Sequence, residues 1–318
     1  MSEGKLDTHV DGIIWGGGGQ LPVETPEEPD TKELEPYFNG LRVQDGICVC
    51  EGNDVASRFS DTAQNNLFCI EDTSWWFQYR ADVIEQIAQK YFDVKRLTFD
   101  VGGGNGYTTY HMQKAGYPVV LLEPAIAACM NGKRRGLKTV VCGTLTEGAI
   151  RDGSIEQIML LDVLEHIEDD TEFLHLIYRK LAPSGKVLLT VPAFKALWSS
   201  EDDTAGHYRR YKQEQLKETA QAAGFTVEYI NYFFEFLFFP ILFVRVWLEK
   251  VGLLKRSEER TEEEKRRITE GQFKERKGAV QWFLNILEQA ELKRLLRGKS
   301  VKLGSSILCV LKKESPTF

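Results

Sequence analysis

No stretch of this 318-residue chain is apolar for long enough to cross a bilayer, which takes about 20 residues. Its longest candidate, Phe236 to Val244, is bounded by Glu235 and Arg245 and runs for nine residues. Basic charge is also in short supply. Forty Lys and Arg stand against 47 Asp and Glu, a net charge of −7, which argues against long nucleic acids as partners. The six cysteines (Cys48, Cys50, Cys69, Cys129, Cys142 and Cys309) are too scattered for a disulfide scaffold. Cys48-x-Cys50 with Cys69 lacks the paired C-x-x-C knuckles of a zinc site, so no metal is expected there. The first 20 residues carry early acids and no basic segment leading into an apolar one, so a secretory signal is not expected and the chain reads as cytoplasmic and reduced. Gly16 to Gly19 lacks the Gly-Lys-Ser/Thr ending of a phosphate loop and reads as a flexible linker.

What the chain does have is alternation. Buried-strand patterns at 97–101, 119–123, 139–142, 155–161 and 185–191 are separated by helical patterns or short loops. A sixth strand is read at 225–232 and a seventh at 306–311. Val83, Ile84, Ile87 and Ala88 recur at helical spacing behind the aromatic cluster at 75–80. Repeated βα units predict an α/β fold, a seven-stranded, mostly parallel sheet with helices on both faces. The chain divides into an N-terminal extension (1–70), a core (71–234), a helical insertion (235–300) and a last core strand (301–318). Up to about Leu41 the extension is acidic and rich in Gly and Pro, and reads as a loosely docked arm.

Asp100-Val101-Gly102-Gly103-Gly104-Asn105-Gly106 closes the first core strand and opens a helix. Such a turn offers free N–H groups to a ligand. A dinucleotide fingerprint starting at Gly102 would need glycine where Tyr107 stands, so that match fails. The remaining pattern, acid-x-Gly-x-Gly-x-Gly, resembles motif I of the class I S-adenosylmethionine (SAM)-dependent methyltransferases, which have a Rossmann-like fold. The resemblance implies that Gly102, Gly103, Gly104 and Gly106 cradle SAM and that Asp100 organises the loop around its methionine end. Glu123 ends the second strand and offers a carboxylate to a ribose diol, a role that NAD and SAM folds share. Pro124, Gly143, Thr144, Leu145 and Asp162 follow later strand ends and complete the expected cofactor set. Gly143-Thr144 stands where many relatives place an adenine-binding Asp, which leaves adenine to backbone groups and Leu145. All these motifs follow strands, so they should crowd one edge of the sheet.

Asp162-Val163-Leu164-Glu165-His166-Ile167, with 183–193 after it, is similar to the ubiquinone-biosynthesis-like branch of small-molecule methyltransferases. There the usual Pro-Gly-Gly has become Pro183-Ser184-Gly185. A narrower subgroup shares Trp76-Phe77-x-x-Arg80, Leu197-Trp198-Ser199 and Gly206-His207-Tyr208-Arg209-Arg210-Tyr211. On this resemblance Trp76, Arg80, Trp198, Tyr208, Arg209, Arg210 and Tyr211 are the expected acceptor-side residues. His166 and His207 are the two candidates for a base that removes a hydroxyl proton. Each has a structural alternative, His166 pinning the loop 162–169 and His207 packing its own loop. One arginine of the 209–210 pair is expected at the substrate and the other on Glu201-Asp202-Asp203. Those acids lack a second spaced carboxylate motif, so metal dependence is not expected. Tyr208-x-x-x-Lys212 has the spacing of the short-chain dehydrogenase pair, but the glycine loop and serine that belong with it are missing.

The insertion opens on the aromatic segment 233–248, which admits three functional readings, a lid over an apolar substrate, a peripheral membrane contact or a dimer interface, and a structural one, ordinary core packing. Lys255 to Lys277 reads as a solvated face, and Trp282, Phe283, Ile286, Leu287 and Ala290 as an amphipathic helix. The expected function is methyl transfer from SAM to a small molecule at oxygen. A catalytically silent SAM-binding scaffold is the alternative, and an NAD oxidoreductase is disfavoured by the glycine spacing.

Overall fold

The computed structural model describes residues 31–50, 61–145, 150–261, 263–264 and 278–315. The glycine run at 16–19 and positions 265–277 of the charged stretch lie outside them. One nine-stranded sheet organises the described chain, in the order β1-β2-β5-β4-β3-β6-β7-β9-β8. The strands are β1 (Leu41–Gln44), β2 (Ile47–Cys50), β3 (Thr98–Val101), β4 (Val119–Glu123), β5 (Val140–Cys142), β6 (Ile155–Leu161), β7 (Leu181–Pro192), β8 (Thr226–Phe233) and β9 (Ser306–Lys312). Every residue of β3, β4 and β5 is buried, as expected of parallel strands covered on both faces. β9 runs antiparallel between β7 and β8.

Two strands were not expected. β1 and β2 form a hairpin whose pairing runs from Leu41 opposite Cys50 to Gln44 opposite Ile47. Asp45 and Gly46 turn it with φ of 52° and 74°, the left-handed pair that a two-residue hairpin requires. β2 then pairs parallel with β5, so part of the extension lengthens the sheet.

From β3 the chain steps outward through α3 (Tyr107–Lys114) to β4, then through α4 (Ile126–Arg135) to β5. It returns to β6 on the other side of β3, and α5 (Asp170–Lys180) leads to β7. Right-handed crossovers put helices made on the outward run and on the return run on opposite faces. The packing agrees: α1 (Asp61–Glu71), α2 (Trp75–Tyr91), α3 and α4 contact one another, whereas α5 packs with the helix Gln213–Ala222. The reversal between β3 and β6 leaves a crevice at their carboxyl ends, where Gly102 and Asp162 emerge.

Candidate active site

Two cavities occupy that crevice. One, of about 290 Å³, is lined by Asp100, Gly102, Gly103, Gly104, Asn105, Asp162, Arg80 and residues of α1 to α3. The other, of about 370 Å³, is lined by Trp75, Glu165, His166, His207, Arg210, Ile241, Arg245 and their neighbours. Trp76 and Asp162 belong to both walls, so the cavities adjoin.

Sterics fix the glycine turn. A Cβ on Gly103 would stand 2.6 Å from Asp100 Oδ2 and 2.7 Å from Leu121 Cδ1. On Gly106, whose φ is 72°, it would stand 2.5 Å from Leu137 Cδ1. Gly104 has a φ of 56° and open space where its Cβ would be. That opening lies beside main-chain N–H groups at the start of α3 and on the wall of the 290 Å³ cavity, and the residues present fit SAM. Asp100 is buried; Oδ2 accepts a hydrogen bond from Thr109 Oγ1 at 2.6 Å, and Oδ1 has no hydrogen-bond partner. Burial pushes its carboxyl up to about 6, against the pull of Thr109 and Arg80. The free lone pairs suit a cationic amino group.

Glu123 stands one strand further along. Gly104 N–H donates to Oε2 at 3.1 Å and Ala125 N–H to Oε1 at 3.0 Å, so it braces the glycine turn from behind. Gly143 N–H donates to the Glu123 carbonyl at 3.1 Å, and Cys142 reaches the Pro124 carbonyl. Glu123, Pro124, Gly143, Thr144 and Leu145 thus share the expected edge but do not line the 290 Å³ cavity. Residues 146–149, which continue that edge, lie outside the described chain.

Asp162 has a φ of 58°, rare for a residue with a side chain. Three contacts hold it: Thr190 Oγ1 donates to Oδ1 at 2.9 Å, Arg80 pairs with Oδ2 at 2.7 Å, and its own N–H reaches the Thr190 carbonyl. Arg80 also donates to Thr190 Oγ1 and Thr108 Oγ1, which commits the guanidinium to the cofactor side of the site.

His166 and His207 meet with ring centroids 4.7 Å apart, edge to face. Asp202 Oδ1 lies 2.8 Å from His207 Nδ1. A carboxylate only accepts, so Nδ1 carries the hydrogen and Nε2 is left as the basic nitrogen. Burial works against the charge on Asp202, but hydrogen bonds from His207 and Arg210 outweigh it and hold the carboxyl below its ordinary range. Glu165, between Asp162 and the histidines, goes the other way: burial, and then the charge of Asp162, push it well above its ordinary value. Ligand-type atoms of Glu165, His166 and His207 lie within 4.8 Å of one another, a spacing that could hold a metal ion.

The remaining acceptor-side candidates separate. Trp76 and Arg210 line the 370 Å³ cavity. Arg210 also donates to Asp202 Oδ1 at 2.7 Å, so one arginine takes both tasks expected of the pair. Arg209 instead ties the loop after β6, bonding the carbonyls of Ile167 and Glu168 and pairing with Asp170. Tyr211 donates to Asp170 Oδ2 at 2.8 Å, Trp198 donates to Asp203 Oδ1 at 3.0 Å, and Tyr208 N–H bonds the Glu165 carbonyl. These four hold the loop that carries His207 and do not line the cavity.

Residues 74–230 match the model of a family described as a methyltransferase domain. A Mycolicibacterium smegmatis protein named as a probable S-adenosylmethionine-dependent methyltransferase is 24% identical over 180 residues, 55% of this chain and 69% of that one. The chain is a SAM-dependent methyltransferase. Two solved structures share the fold. Phosphoethanolamine N-methyltransferase 2 of Haemonchus contortus, in complex with SAM, aligns at 19% identity over 82% of this chain and 61% of its own, with a TM-score of 0.50. The 4+2 cyclase SpnF aligns at 14% identity over 80% and 94%, with a TM-score of 0.51.

Sequence reasoning missed several residues of this methyltransferase's site. Glu71, at the end of α1, lines the 290 Å³ cavity, pairs with Arg135 at 2.5 Å and accepts from Asn105 at 3.2 Å. Burial pushes its carboxyl up to about 7. Ser305 and Ser306, on the approach to β9, line the 370 Å³ cavity together with Leu237, Ile241 and Arg245 of the segment that admits a lid reading.

Proposed function

We propose that the methyltransferase carries the methyl group of SAM to a hydroxyl of a small amphiphilic molecule, with His207 as base and residues 235–250 as the cap over the acceptor. The observation that carries this reading is the adjoining of the two cavities at Trp76 and Asp162, with the histidine pair in the second. Motifs 162–167 and 206–211 support membership of the ubiquinone-biosynthesis-like branch.

SAM, when bound, supplies an electrophilic methyl group on a sulfonium. The protein's own task is to align the acceptor oxygen in line with that carbon and take its proton. The Asp202 bond to Nδ1 fixes the tautomer and supports the imidazolium that forms when Nε2 accepts the proton. His166, packed edge to face against His207, limits how the ring can turn. Arg210 and Arg245 bring positive charge to the same wall, which suits an acceptor with an anionic group near its hydroxyl. Trp75, Trp76, Leu237 and Ile241 supply apolar surface that excludes water.

The test is formation of S-adenosylhomocysteine when hydroxylated amphiphiles are offered with SAM. Turnover that survives dialysis against a chelator is the expected result, since the proton has a nitrogen base to go to. The alternative is a SAM-binding protein that transfers no methyl group. SAM binding by calorimetry with no S-adenosylhomocysteine across the acceptor series would favour it.

A further inference from the structure

We propose that the outward face of the segment 238–250 seats the protein on the surface of a lipid bilayer, so that its acceptor is an amphiphile met at the membrane. The proposal rests on the reading of the 370 Å³ cavity as the acceptor site. The segment winds from Phe238–Pro240 through a wide π-helical stretch, Ile241–Trp247, into Leu248–Lys250. Leu237, Ile241 and Arg245, spaced four apart, line the acceptor cavity. Phe239, Phe243 and Trp247 have the same spacing and are displaced by two residues, which on a helix is the opposite side. Those three are 65%, 57% and 48% exposed, and the rings of Phe243 and Trp247 stack at 5.0 Å. Val244, Val251 and Leu253 extend the exposed apolar ridge. One thickness of helix therefore separates the acceptor cavity from an apolar surface.

Charge selects the occupant. Between Glu235 and Lys250 the charged side chains are Arg245, on the cavity, and Glu249, which is turned inward onto Ser200 and Arg260. The ridge thus carries no carboxylate in a chain whose net charge is −7, and the exposed Lys250 stands beside it. Aromatic side chains above a lysine match the acyl and headgroup layers of a bilayer. The apolar run is too short to span, so the segment lies in the interface plane. An acceptor reached there keeps its apolar part in lipid and avoids the cost of hydrating it.

The test is co-sedimentation of the full chain with vesicles of pure phosphatidylcholine. Wild type should partition onto them and stay bound at high salt, because the contact is apolar. The variant F239S/F243S should partition about tenfold less or weaker still, with melting temperature and SAM affinity unchanged because both side chains face outward. Brominated phosphatidylcholine should quench wild-type tryptophan fluorescence, and W247F should lose part of that quenching. Absence of wild-type partitioning, or equal partitioning of wild type and F239S/F243S, would overturn the proposal. So would a dimer that the double variant dissociates while vesicle binding is unchanged, since the ridge would then be an interface between copies. None of these readouts uses methyl transfer, so failure of the methyltransferase chemistry with soluble acceptors is a separate result.

Discussion

On the glycine side of Trp76 the site centres on a main-chain turn, held in place by what a Cβ would strike, with side chains of α1 to α3 around it. On the histidine side it is mostly side chains, delivered from α2, the turn after β6, the loop 206–211, the insertion and the approach to β9. A main-chain site is specified by glycines at fixed spacing a few residues apart. A side-chain site is specified by contacts between segments far apart in sequence. On the proposed reading the first holds SAM and the second takes the acceptor.

The largest expected effect lies on the side-chain half. His207→Ala should lower kcat by about 10²- to 10⁴-fold with SAM affinity unchanged. His166→Ala should cost less if its task is to pack against the base. Asp202→Asn should lower kcat and shift its pH profile, because an amide holds the imidazolium less well than a carboxylate. Equal losses at both histidines would remove the distinction between base and support.

Next comes the cap, whose two sides adjacent residues report. Phe238 is buried and packs edge to face on Phe194 at 5.4 Å, whereas Phe239 is exposed. Phe238→Ser should destabilise the fold by about 3 kcal/mol or more. Phe239→Ser should stay within about 0.5 kcal/mol. Thermal denaturation of the two single variants checks this, and similar losses would show that the segment has no inner and outer face.

The glycine half should yield a smaller loss, confined to the cofactor. Gly103→Ala must displace Asp100, which is held by Thr109, or Leu121, which is in the core. Overpacking of this kind costs about 1–3 kcal/mol, or roughly a five- to 150-fold loss of SAM affinity if the turn gives way. Calorimetry on the variant measures it, and wild-type affinity would mean that the turn does not hold SAM.

Legibility in the sequence followed the same division. The core strands were readable because they are continuously apolar and end in polar motifs. The hairpin β1–β2 was overlooked although Asp45-Gly46 is a strong hairpin signal, because an acidic, Gly- and Pro-rich neighbourhood outweighed a two-residue turn. Glu71 was unreadable, since its importance comes from Arg135 and Asn105, which reach it only in the fold. Arg209 and Arg210 are adjacent and chemically identical, so composition could not say which faces the cavity. Asp202 stood in an acidic run and became distinct only once His207 and Arg210 converged on it.

The smallest effect is a pH dependence on the glycine side. Without ligand, burial holds the Asp100 carboxyl at about 6, above its ordinary value, so the folded protein binds this proton more tightly than the unfolded chain does. Its contribution to stability is therefore present at low pH and is lost as pH rises through about 6. Cofactor binding should show the opposite slope. A cationic amino group beside Oδ1 favours the carboxylate, so binding below that pH must expel the proton, and affinity should fall by at most about tenfold per pH unit. Glu71, held near 7 on the same cavity, adds a dependence of its own. Asp100→Asn keeps the shape and the acceptor for Thr109 while deleting one titration, so the difference between wild type and variant isolates Asp100. SAM affinity measured from pH 5 to 7 should converge between the two at the acid end and separate above about 6. A constant difference across that range would mean that Asp100 shapes the glycine turn without touching the cofactor's charge.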